Sequence, residues 1–228
     1  MKLFNCSVCE QLLFFENSHC IQCGHDLGYL SDVEVISALE LIDGDGWRAI
    51  APEAAGAVYK KCLNYREEQV CNWMLPIESP AALCVACRLT TTIPDLSIPQ
   101  NRDHWQRLEI AKRRLVYGLR ALALPVESKL ENPARGLAFA FLSDPTGDFQ
   151  ESNAVMTGHA EGLITINVAE ADDVERERRR LAMDERYRTL LGHLRHESGH
   201  YYWQRLVSGS DLLEPFRDVF GDERADYD

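Results

Sequence analysis

The sequence predicts an α+β chain: a small, metal-stapled N-terminal region followed by a larger mixed domain of helices and strands. Three observations carry this. The first half holds all eight cysteines, in two groups of four. Beyond residue 99, patterns of helical and strand period alternate. Near the C-terminus, His196-Glu197-Ser198-Gly199-His200 reads H-E-x-x-H on a helical pattern. The organisation expected is a four-cysteine ribbon over 1–30, a second four-cysteine region over 31–98, and a domain carrying the histidines over 99–228.

Cys6, Cys9, Cys20 and Cys23 form C-x2-C-x10-C-x2-C, two knuckles able to present four thiolates to one tetrahedral zinc. Gly24 follows the second knuckle, where the chain must turn tightly. Residues 1–30 lack the apolar run and cleavage site of an export signal. In the reducing compartment this implies, thiols bind metal instead of pairing as disulfides. Val33 to Ile42 reads as a strand, Asp43-Gly44-Asp45-Gly46 as a turn, and Trp47 to Ile50 as the returning strand. Cys62, Cys71 and the knuckle Cys84-x2-Cys87 most simply make a second four-cysteine zinc site. Pro94 and Pro99 bracket a short linker.

Asn101 to Leu124 is amphipathic, with Trp105, Leu108, Leu115, Leu119 and Leu122 along one stripe and Pro125 as the stop. Gly136 to Leu142 has strand character, Asp144 to Asp148 is turn chemistry, and Gly162 to Val168 alternates as a strand. The basic residues between Arg176 and Arg180 alternate with Glu175 and Glu177, as on a solvated helix face over about 171–183. Asp184 to Leu206 then reads as one helix.

Residues four apart share a helix face, so His196 and His200 can aim two imidazoles at one ion. Glu197 sits beside them, placed to take a proton from a water which that ion activates. Gly199 weakens the helix, by about 1 kcal/mol relative to Ala, which suggests that something approaches the backbone there. A catalytic zinc takes three protein ligands. Glu223 is the first candidate for the third, Asp226, one turn on, the second, and Asp218 the last choice. His159 and Tyr227 are candidates to steady an oxyanion, and His193 suits packing or support of a ligand better than ligation.

Composition narrows the possibilities. At 228 residues and 46% hydrophobic content the chain can bury one good core and a satellite. It has no apolar run long enough to span a membrane. A net charge of −12 argues against general nucleic-acid binding through phosphates.

Several segments together resemble a bacterial family of zinc-dependent peptidases with an N-terminal zinc ribbon. They are Cys71-Asn72-Trp73, Leu83 to Arg88, Ile93 to Leu96, Glu109 to Leu115, Thr157-Gly158-His159 with Gly162 to Ile166, Tyr187 to Trp203, Phe220 to Glu223 and Asp226-Tyr227. The resemblance covers nearly the whole chain. It implies a zincin-like metallopeptidase domain over 99–228, continuing past Asp228 in other members. It also implies peptidase activity without naming a substrate. Taken with the two cysteine groups, the histidine pair and the lack of an export signal, the expectation is a cytoplasmic hydrolase with three Zn2+ ions, one catalytic and two structural, acting on a peptide or protein. In zincins an edge strand ahead of the metal helix pairs with extended substrate, a role that residues 162–168 would fill by analogy. The alternative from another class is a zinc-ribbon binding module for protein or nucleic acid, its H-E-x-x-H site vestigial or latent.

Overall fold

A computed structural model of the chain describes residues 3–143, 155, 157–182 and 188–225. The turn expected at Asp144 to Asp148, together with Asp226 and Tyr227, lies outside them.

The ribbon begins with a two-stranded hairpin, β1 (Phe4–Asn5) against β2 (Leu12–Leu13), each strand leading from or into a cysteine turn. The chain then closes a five-stranded barrel: β3 (Asp26–Leu30), β4 (Val35–Leu41), β5 (Trp47–Ala49), β6 (Val58–Lys61) and β7 (Trp73–Pro76). Neighbours in sequence pair antiparallel, and β7 returns to pair parallel with β3, Tyr29 opposite Trp73. The β4–β5 turn falls where Asp43-Gly44-Asp45-Gly46 predicts it, with Gly44 at φ 66°. The β3–β4 hairpin straddles residue 30, where the sequence reading ends the ribbon. A short helix, α1 (Leu63–Arg66), follows Cys62.

The second layer is a four-stranded sheet in the order β10-β11-β9-β8. Its strands are β8 (Thr90–Thr92), β9 (Ala138–Leu142), β10 (Gly158–Ala160) and β11 (Leu163–Asn167). β8 precedes residue 99, yet it pairs with β9. The expected edge strand is corrected here. β11 is interior, parallel to β9 on one side and antiparallel to β10 on the other, so among the described residues the edge on that side is β10. The 162–168 pattern reads as a half-buried strand of either kind, and only pairing distinguishes edge from interior.

The long helix α2 (Pro99–Ala121) packs against the sheet. Trp105, Leu108, Leu115, Val116 and Leu119 are buried with Phe139, Phe141, Ile164 and Ile166 in one continuous core. The same helix ties down the N-terminal half. Arg113 donates to the Val70 carbonyl, Arg114 pairs with Glu16, Arg120 donates to the Ser31 carbonyl at 2.8 Å and Arg102 pairs with Glu68 at 2.8 Å. Tyr117 packs on Phe15 and Tyr29, whose rings meet Trp73. Ribbon, barrel and α2 therefore share one aromatic cluster.

Lys112-Arg113-Arg114 looks like a surface basic run, but Lys112 and Arg113 are buried. The run works because each cation meets a partner from another element. The later run does lie on a solvated face. In α3 (Asp173–Ala182), Arg176 and Arg180 pair with Asp173 and Glu177 one turn earlier. The last elements are α4 (Leu190–Tyr202), one π-helical turn (Trp203–Val207) and α5 (Leu213–Phe220). The expected single helix over 184–206 is thus α4 plus that turn in its described part. Among the described residues no helix is long and apolar enough to cross a membrane.

Candidate metal centres

Local chemistry places the histidine helix. Thr189 caps it, its hydroxyl accepting the Gly192 N–H at 3.0 Å. Arg188, just ahead, holds Glu170 through two hydrogen bonds of 2.6 and 3.1 Å, and His193 Nδ1 lies 3.6 Å from the same carboxylate. Glu170 is buried. Burial alone would keep it protonated, but the hydrogen bonds and charges of His193 and Arg188 outweigh that and lower its pKa to about 2. At the other end Tyr201 donates to the Arg135 carbonyl at 2.7 Å and Tyr202 to the Pro125 carbonyl at 2.9 Å. The helix is clamped at both ends; in its middle turn Glu197 and Ser198 are buried while His196, Gly199 and His200 are exposed.

That middle turn carries His196 and His200. Their Nε2 atoms are 3.1 Å apart and the rings stand nearly perpendicular, at 85°. Two ligand atoms on a tetrahedral zinc at about 2.0–2.1 Å would be separated by about 3.3 Å, so the pair fits such an ion. Both rings are exposed, whereas Glu197 between them is 7% exposed.

His159 approaches from β10. A two-residue turn, Glu161-Gly162 with φ 49° and 85°, joins β10 to β11 and demands a positive φ at both positions. A side chain at Gly162 would also strike the Gly136 carbonyl oxygen, 2.4 Å from the Cβ position. In this turn the Gly162 N–H donates to His159 Nε2 at 2.9 Å. A ring that accepts at Nε2 carries its proton on Nδ1 when neutral. Burial, then the nearby His200, lower the His159 pKa, against the opposing pull of Glu197. The neutral form is therefore favoured.

Glu223 stands apart. Arg217 grips its carboxylate through two bonds of 2.7 and 2.9 Å, and this ion pair holds its pKa down. Among the described residues no third metal-binding side chain gathers with the two histidines. Asp218 does not join them either, and Asp226 lies outside the described set.

The cysteines do gather. Cys6, Cys9, Cys20 and Cys23 form one group, and Cys62, Cys71, Cys84 and Cys87 the other; within each, all sulfurs lie within 4.8 Å of one another. Cys6–Cys23 and Cys9–Cys20 are 3.6 Å apart and Cys71–Cys84 are 3.8 Å apart. A disulfide needs about 2.0 Å, while the edge of a zinc–thiolate tetrahedron is about 3.8 Å. All eight thiols are free, and the geometry is that of zinc ligands. The second group is wholly buried, and burial pushes the Cys84 thiol well up, so four thiolates there need a cation among them.

Sequence reasoning gave His193 a packing or supporting role but missed its partner Glu170, the Arg188 that holds it, and the Tyr201 and Tyr202 anchors. The only signal was the density of polar and aromatic residues flanking the histidines, which does not say what each one touches.

Comparison with known proteins agrees with this layout. Residues 101–228 match a family described as "Putative zinc-binding metallo-peptidase", and residues 3–98 match a zinc-ribbon domain. Proteins of Mycobacterium bovis and of two Mycobacterium tuberculosis strains, each described as uncharacterized, are 42% identical over all 228 residues of this chain. The chain spans 61% of the length of these relatives. No solved structure matches it.

Proposed function

The chain belongs to the "Putative zinc-binding metallo-peptidase" family, and from that premise we propose that it hydrolyses peptide bonds at the H-E-x-x-H helix, with Glu197 as general base. The observation that supports this best is the 3.1 Å approach of His196 and His200 Nε2, one helical turn apart and flanking a largely buried carboxylate. A zinc ion held there would polarise the substrate carbonyl and acidify the attacking water. Glu197 takes the proton from that water and passes it to the leaving amine. His159, neutral with its proton on Nδ1, donates to the oxygen that gains charge in the transition state. The substrate runs extended beside β10, the edge strand among the described residues, which lies against α4. Gly199 keeps space on this helix: nothing lies within 4 Å of where its Cβ would be.

The third ligand is proposed to be Glu223, which must first leave Arg217, with Asp226 as the alternative. Two further zinc ions at the cysteine groups are structural. They would staple the ribbon turns and the segment running from β6 to β8, and a reducing compartment such as the cytoplasm suits eight unpaired thiols.

The test is Glu197→Gln in zinc-loaded protein, assayed on a mixture of peptides. Zinc content should stay at the wild-type level while turnover falls by about 10²-fold or more. Undiminished cleavage would remove Glu197 as the base.

A further inference from the structure

A cavity of about 230 Å³ opens where the ribbon, α2 and α4 meet. Phe15, Tyr117 and Leu191 give it an apolar lining, Arg114 and Arg195 add two guanidinium groups, and Gly118 completes the wall. We propose that it is a second binding site, which takes a carboxylate attached to an apolar side chain, the chemistry of a peptide's C-terminal end.

Two independent observations support the site. The first is Gly118. It lies within α2, where glycine is among the poorest helix formers, and it has no positive φ to explain its presence. Nothing lies within 4 Å of the position its Cβ would take. No neighbouring element therefore requires its small size, and it leaves open space at the cavity wall. The second is Arg195. Arg195 is an exposed side chain on the cavity rim, and in a chain of 36 acidic and 24 basic residues it has, among the described residues, neither an ion pair nor a hydrogen-bond partner. Arg114, by contrast, is fixed by Glu16, which sets its guanidinium at the cavity wall with other N–H groups to spare. A ligand carboxylate would meet one unpaired cation and one pre-oriented cation, and an apolar side chain would fill the space over Gly118.

The pocket is separate from the metal site. Arg195 and His196 are adjacent on α4, so their side chains point about 100° apart around the helix. Occupancy therefore needs no metal at the histidines, and the site stands or falls apart from the hydrolytic reading.

The experiment is calorimetric titration of the whole zinc-loaded chain with three probes: N-acetyl-phenylalanine, its amide, and N-acetyl-Ala-Ala-Ala-Phe with a free carboxylate. Both acids should bind, and the amide about tenfold more weakly or worse. Gly118→Leu, which favours the helix and fills the cavity, should weaken binding at least about tenfold, and Arg195→Gln should do so by about tenfold. His200→Ala should leave the affinity within about twofold. Tighter binding of the tetrapeptide identifies a peptide end as the source, and equal binding a free acyl amino acid. The proposal is overturned if no acid binds, if the amide binds as well as the acid, if Gly118→Leu or Arg195→Gln retains full affinity, or if His200→Ala abolishes binding.

Discussion

Lys112 and Glu109 pair at 2.8 Å with neither side chain reaching solvent. The Glu109 oxygen in this pair also accepts from the Thr90 hydroxyl at 2.8 Å and from the Trp105 indole at 3.3 Å. The Lys112 ammonium sits over Phe139 and Phe141, in the core between α2 and the sheet. Removing one member of such a pair strands the other charge in an apolar interior. Lys112→Met should therefore lower unfolding free energy by about 3–5 kcal/mol, and adding Glu109→Gln should restore part of it. Denaturant titration of the single and double variants checks this, and equal loss in both would show that the charge is not what matters.

Glu170 gives a pH dependence with a definite sign. Its carboxyl is lowered from 4.5 to about 2 in the folded chain. A depressed folded pKa means the unfolded state binds protons more readily, so its contribution is complete above about pH 5 and fades as pH falls from there toward 2. The size is about 3 kcal/mol as an order of magnitude. Glu170→Gln should lose that stability at neutral pH and show a flatter stability profile between pH 5 and 2, read from thermal unfolding across that range.

Arg217 and Glu223 decide the proposed third ligand. Arg217→Met releases the Glu223 carboxylate, and zinc at the histidine pair should then be held more tightly against a competing chelator. Glu223→Gln should weaken it. Asp226→Asn provides the comparison: if only that variant weakens retention, the ligand assignment passes to Asp226.

Metal analysis of the intact chain should find three zinc ions, falling to two in His196→Ala/His200→Ala. Cys84→Ser should lower stability more than Cys9→Ser, because Cys84 belongs to a wholly buried group while Cys9 is partly exposed. A wild-type count of two would favour the ribbon-type binding module over an enzyme.

What the sequence revealed follows the range of the interactions involved. Each C-x2-C knuckle of the first cysteine quartet fits within one turn, the two knuckles lie only ten residues apart, and the histidine pair lies on one helix, so these could be read directly. The barrel could not, because its closure joins Tyr29 to Trp73. Nor could the assignment of Thr90–Thr92 to the later sheet, which rests on pairing with Ala138–Leu142 across the whole of α2. Lys112 and Arg113 show the opposite case: their charge suggests solvent, yet both are buried, Lys112 against Glu109 of its own helix and Arg113 against the Val70 carbonyl of another element. Glu223 shows the same limit, since its nearest cation is Arg217 and spacing alone does not rank that pairing against a metal.

The helix Pro99–Ala121 has aromatic and ionic neighbours from both halves of the molecule, and Thr90–Thr92 crosses in the other direction. The seam between the two family matches, at residues 98 and 101, is thus a boundary in sequence but not in folding. Fragments cut there would each bare a greasy flank, and the later one would also forfeit an outer strand. Anyone dissecting this molecule should keep both halves on one polypeptide, and should expect them to melt together.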